Sequence, residues 1–205
     1  VYANGLDTVL TGTMSFRIAG KYTCYRNAMI AVKSDPPNMI IIDIFPETSK
    51  AMDFIAEVQK LNQNIKILVL SMLDENIYAE RALKAGAGGY MMKTAAPGEI
   101  LSALEKIYKN ELYLSDNLSS MILQKYVGGV ENIELNPVKL LSDRELDVYR
   151  LTGKGCTSKE ISAKLEISTN TVDNHKSSIK DKLGLKNSIE LIQSSVLWCR
   201  DKGIF

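Results

Sequence analysis

Apolar and polar positions follow two different patterns along this chain. In the first half, short apolar runs alternate with amphipathic stretches. Residues 39–44 (Met-Ile-Ile-Ile-Asp-Ile) and 66–71 (Lys-Ile-Leu-Val-Leu-Ser) are rich in β-branched and aliphatic side chains and bounded by Pro36-Pro37 or polar residues. Such runs predict strands buried on both faces, as in a parallel sheet. Residues 89–92 (Gly-Tyr-Met-Met) predict a weaker third strand, residues 1–3 the end of a first one, and residues 22–25 a further short one. Between them, Met52, Ile55, Val58 and Leu61 share one helical face, as do Ile77, Ala82 and Leu83, and Ile100, Leu101, Leu104 and Ile107. Strand–helix alternation of this kind predicts a doubly wound, flavodoxin-like α/β domain.

A helix is expected over residues 116–126, followed by Gly128-Gly129 and a polar stretch that mark the best boundary. The division expected is residues 1–112 for the α/β domain, 113–137 for a linker containing a helix, and 138–205 for an all-α domain. Beyond the boundary the strand pattern vanishes. Helix starts are marked instead, by Ser142-Asp-Arg-Glu145 and Thr157-Ser-Lys-Glu160, both capping boxes, and by a looser one at Asn170-Thr-Val-Asp173. A helix over about 158–165, a tight turn and a helix over about 170–183 form a helix-turn-helix. The second helix is expected to bury Val172, Ile179 and Leu183. It then presents Asp173, Asn174, Ser177, Lys180 and Asp181, with Thr171, His175 and Lys176 at the flanks. Short polar side chains near its N-terminus suit base edges, and lysines suit phosphates.

Composition narrows the choices. With 45% hydrophobic and 24% charged residues over 205 positions, a buried core is affordable. No apolar run approaches a membrane span and no basic-plus-apolar leader opens the chain, so neither a membrane anchor nor a secretory signal is expected; whether residues precede Val1 is open. Three scattered cysteines argue for a reducing compartment, the cytoplasm, and the single histidine excludes a histidine-based metal site. Net charge is only +1, yet eight basic residues between Arg150 and Lys186 face four acidic ones. No Gly-rich phosphate loop and no nucleophile–base pair points to an enzyme.

Leu141-Ser-Asp-Arg-Glu145, Gly155-Cys-Thr-Ser-Lys-Glu-Ile161, Leu165-Glu-Ile-Ser168, Thr171-Val172, His175 and Lys182-Leu-Gly184 resemble the LuxR-type helix-turn-helix. The resemblance implies a transcription regulator that binds double-stranded DNA. It aligns Asp173, Asn174 and Ser177 with base-facing positions, and assigns phosphates to Lys159, Lys176, Lys180 and Lys182, with Thr157 and Ser158 as further candidates. Asp173 has two readings, an acceptor from cytosine or a helix cap; His175 is a groove-edge or phosphate contact. The last helix, about 188–200, resembles the family's dimerisation helix, with Ile189, Ile192, Val196 and Leu197 as the seam and packing within the monomer as their competing use.

The first half resembles the receiver domain of NarL/FixJ-type response regulators of two-component systems. Asp43 then stands at the phosphoacceptor position, Ser71 at the responsive hydroxyl, Tyr90 at the aromatic switch and Lys93 at the phosphoryl-pairing lysine. Receivers of this kind use Mg²⁺ held by carboxylates, whereas Asn4 and Gly5 stand where the resemblance expects an acidic pair. Residues 12–39 are also short for a helix, strand and helix, and Pro46 sits one place early. Asp7 or Glu47 could substitute as ligands, but the register argues against them. A degenerate receiver, not switched by ordinary phosphorylation, is the favoured expectation. A conventional switch driven by a sensor kinase and an auxiliary regulator acting by heterodimerisation with another regulator, rather than as a homodimer, stand beside it.

Overall fold

The computed structural model describes residues 6–7, 10, 16–127 and 137–204. The chain divides into two compact units, residues 1–45 with 50–126, and residues 127–205 with the short segment 46–49.

The first unit contains helix α1 (Tyr25–Ser34), strand β1 (Met39–Ile42), all but the first two residues of helix α2 (Thr48–Leu61), strand β2 (Lys66–Ser71), helix α3 (Glu75–Ala85), strand β3 (Gly89–Met92), helix α4 (Pro97–Tyr108) and all but the last residue of helix α5 (Asp116–Val127). The strands pair in the order β1-β2-β3, all parallel, with Met39 opposite Lys66 and Ser71 opposite Met92. Side chains alternate across a strand. Leu68 and Leu70 of β2 therefore pack with Met91 against Ile100, Ala103, Leu104 and Ile107 of α4, while Ile67 and Val69 face the other way and are equally inaccessible. Double-sided burial explains the unbroken apolar run, each such side chain contributing about 1.5–3 kcal/mol.

Two elements differ from expectation. Residues 22–25 form no strand: Cys24 is extended, but Tyr25 starts α1, whose Met29 and Val32 turn inward at helical spacing. The Tyr25 hydroxyl donates to the Asp43 carbonyl and its ring lies 5.5 Å from that of Phe54, so this aromatic anchors a helix start. Strand β1 stops at Ile42, two residues early, although Ile44 is fully buried; the Asp43 carboxylate accepts from the Phe45 backbone N–H and turns the chain out of the ladder. The expected strand at residues 1–3 lies outside the described residues, as do Asn4 and Gly5.

The second unit is helical: a 3-10 turn (Pro137–Leu140), then α6 (Asp143–Gly153), α7 (Ser158–Leu165), α8 (Thr169–Leu183) and α9 (Ser188–Asp201). Both expected capping boxes form. Ser142 Oγ accepts from Glu145 N while Glu145 accepts from Ser142 N at 2.7 Å, and Thr157 and Glu160 do the same. The third does not. Ser168 caps α8, accepting from Thr171 N at 3.0 Å. Asp173 therefore lies more than a turn inside the helix, where no backbone N–H is left to cap. Between α7 and α8, Glu166 adopts the left-handed conformation (φ 55°) and Ser162 Oγ donates to the Ile167 carbonyl, closing the turn. Helix α9 crosses α6 closely: a Cβ on Gly153 would fall 2.4 Å from the Ser195 carbonyl oxygen. Tyr149 and Trp198 pack their rings 5.5 Å apart across the same contact.

Candidate functional site

Helix α8 carries the densest set of candidate residues. Val172 and Ile179 are completely buried against the rest of the helical unit, while Leu183 is only half-buried, short of the full burial expected for it. With that face turned inward, Asp173, Asn174 and Ser177 are exposed, and Thr171, His175, Lys176 and Lys180 are half-buried at the flanks. The N-terminal half of α8 thus offers a polar surface of short side chains, bordered by lysines. On α7, Lys159 is exposed and Ser158 half-buried.

Hydrogen bonds subdivide these residues. The Thr157 hydroxyl works within its own capping box, donating to Glu160 at 2.8 Å. Ser158 Oγ donates to Asp173 Oδ1 at 2.8 Å and accepts from Lys176 Nζ at 2.9 Å, bridging α7 to α8. Lys182 Nζ donates to Glu145 Oε2 at 2.6 Å, and Ser178 Oγ to Glu145 Oε1 at 2.6 Å. Glu145 therefore ties α8 to α6 with both oxygens. Burial pushes its carboxyl up, but the hydrogen bonds from Lys182, Ser178 and Ser142 outweigh that and hold it down at about 2. The capping pattern exposed Glu145 as a cap partner only. Its grip on Ser178 and Lys182 spans more than thirty residues of sequence, and no local pattern signals it.

Helix α9 buries Leu191, Ser195, Trp198 and Cys199. Ile189, Ile192, Val196 and Leu197 remain 67, 49, 38 and 50% exposed.

In the first unit, the C-terminal ends of the parallel strands place Asp43, Ser71 and Lys93, while Tyr90 lies within β3 opposite Val69. Asp43 follows β1 and its Oδ2 accepts from Lys93 Nζ, which follows β3. Ser71 closes β2, fully buried, its Oγ accepting from Leu73 N at 3.3 Å. Tyr90 is also fully buried, with its hydroxyl donating to the Leu73 carbonyl at 2.7 Å; burial pushes that phenol strongly up, so it stays protonated. Among the described residues no three His, Cys, Asp or Glu side chains gather into a metal-binding group, and none of the helices there is long and apolar enough to cross a membrane.

Residues 139–195 match the family "Bacterial regulatory proteins, luxR family", and residues 1–105 match the "Response regulator receiver domain". A Staphylococcus aureus protein, oxygen regulatory protein NreC of strain JH9, is 31% identical over 196 residues, covering 94% of this chain and 86% of its own. The chain belongs to the luxR-family response regulators. Two solved structures share the fold of this luxR-family chain, both of RcsB from Salmonella enterica serovar Typhimurium with a phosphomimetic. One is bound to promoter rprA (TM-score 0.63, 23% identity, 93% of this chain and 90% of that one). The other is bound to promoter P1flhDC (TM-score 0.64, 23% identity, 94% and 92%). The luxR-family match spans α6, α7 and α8 and most of α9, so the bridging residues Glu145, Ser158 and Lys182 all lie within it.

Proposed function

We propose that this chain is a cytoplasmic transcription regulator that binds double-stranded DNA through α8 as a dimer, with a receiver unit not switched by ordinary Mg²⁺-dependent phosphorylation. The observation that carries the DNA reading is the segregation of α8. Val172 and Ile179 are buried while Asp173, Asn174 and Ser177 stand exposed between lysines. A helix so divided can lay its polar N-terminal half in a major groove and its lysines along the phosphates. The RcsB structures with promoter DNA support the same use of this fold. The exposed apolar row Ile189, Ile192, Val196 and Leu197 gives a second copy a surface to cover, and one RcsB structure is of two dimers on two parallel DNAs.

The degenerate-receiver reading rests on residue identity. Asn4 and Gly5 stand where carboxylates would hold Mg²⁺. A conventional switch, fed by a sensor kinase, draws on the Asp43 side chain remaining 37% exposed. Intact mass after incubation with a small phosphodonor and Mg²⁺, beside Asp43→Ala, decides between them. No phosphoryl gain is expected; a gain that the variant lacks makes the receiver a working switch. A receiver that stays unmodified would deliver its signal through another protein, and heterodimerisation with a second regulator through the α9 row is then the input to examine.

A further inference from the structure

Ser158 stands first in α7, immediately after the capping threonine. Here it crosses to the neighbouring helix. Its hydroxyl accepts from Lys176 Nζ at 2.9 Å and donates its proton to Asp173 Oδ1 at 2.8 Å. With Lys176 supplying a donor on one side, the hydroxyl proton has a single charged acceptor on the other. The direction of the relay, lysine to serine to aspartate, is thereby fixed.

Asp173 itself is not engaged at the helix terminus, because Ser168 performs that task. The carboxylate is exposed, and its second oxygen has no partner among the described residues. Asn174 and Ser177, beside it on the same exposed surface, can each donate or accept. A carboxylate can only accept. In a major groove it rejects guanine, whose O6 and N7 are both acceptors, and it selects an amino donor, cytosine N4 or adenine N6.

We propose that Ser158 is a positioning residue for base selection, whose Lys176-fixed hydroxyl holds Asp173 so that its free oxygen meets, on the strand it faces, cytosine N4 or adenine N6 rather than guanine or thymine. The inference rests on α8 being the DNA-reading helix. It makes sequence preference at one position of each half-site depend on a side chain of the preceding helix that touches no base.

The test is selection of binding sites from a randomised duplex library by the full-length protein and by Ser158→Ala, Ser158→Thr and Asp173→Ala, with melting followed by Trp198 fluorescence to confirm folding. The wild-type chain should prefer cytosine or adenine over guanine by about tenfold at one position on one strand of the half-site; which of the two is enriched there identifies the donor. Asp173→Ala should abolish that preference and Ser158→Ala should remove most of it, both leaving other positions unchanged. Ser158→Thr, which keeps the hydroxyl, should restore it. Preferences in Ser158→Ala identical to wild type, or weakened evenly at every position, overturn the proposal. If Ser158→Ala does not fold, failure of Asp173→Ala to change that one position overturns it equally. A wild-type chain that enriches no sequence overturns the DNA reading itself, a result distinct from both.

Discussion

Lys182–Glu145 in the helical unit and Lys93–Asp43 in the sheet unit pair the same two chemical groups in opposite senses. In the first, the carboxylate is buried (6% exposed) and the lysine reaches the surface (39%); in the second, the lysine is buried (17%) and the carboxylate reaches the surface (37%). A buried carboxylate must find all its partners inside the protein, and Glu145 does, accepting from Ser142 N, Ser178 and Lys182. It fastens α8 to α6 and is closed to chemistry. Asp43 shares one oxygen with Lys93 and the other with a backbone N–H while remaining reachable from solvent. The same pair thus serves as a staple where the acid is buried, and as an accessible, charge-balanced acid where the base is.

The contrast predicts unequal costs. Glu145→Ala deprives Lys182, Ser178 and the Ser142 N–H of their shared acceptor, and should destabilise the helical unit by about 4 kcal/mol. Trp198, the chain's single tryptophan, is buried in that unit and reports its unfolding in denaturant. Asp43→Ala should cost the sheet unit less than about 1 kcal/mol, followed by circular dichroism, because a partly exposed pair contributes little. Equal losses would break the comparison.

Acid should distinguish the same group. The Glu145 carboxyl is held at about 2, against 4.5 unperturbed. A depressed folded value stabilises above the unfolded one and is lost as pH falls through the folded one. The helical unit should therefore lose up to about 3 kcal/mol between roughly pH 4.5 and 2. In Glu145→Gln this part of the slope should disappear from the Trp198 unfolding curves. A wild-type slope retained in the variant would place the acid sensitivity elsewhere.

What the sequence revealed follows from how local each signal is. Strand β2 and the capping boxes at Ser142 and Thr157 are written within runs of four to six residues, and all form. Burial of Val172 and Ile179 follows from helical spacing alone. Ser168 and Asn170 are both good caps, so local composition does not choose between them for the start of α8; in the structure Ser168 takes the task. Aromatic residues favour strands, which makes Tyr22 to Tyr25 read as one, but Tyr25 starts a helix and packs on Phe54 instead. The roles of Ser158 and Lys182 were least legible. A serine or lysine on a DNA-reading motif suits phosphate by composition, and only the cross-helix geometry shows a second engagement.

Lys182 gives the smallest and most discriminating test. If its ammonium is committed to Glu145, it is a poor phosphate ligand despite its place on α8. Lys180→Ala should lower the salt dependence of DNA binding by about one counterion's worth, since each phosphate contact contributes close to one unit of slope. Lys182→Ala should leave that slope unchanged within error and instead lower the unfolding midpoint reported by Trp198, because Glu145 keeps its charge while losing its strongest partner. Fluorescence anisotropy across a salt series measures the slope, and denaturation measures the midpoint. A reduced slope together with a lowered midpoint would mean that Lys182 holds Glu145 in the free protein and leaves it for the phosphate on binding. The staple would then be a feature of the free protein alone, and the two lysine–carboxylate pairs would be more alike than their burial implies.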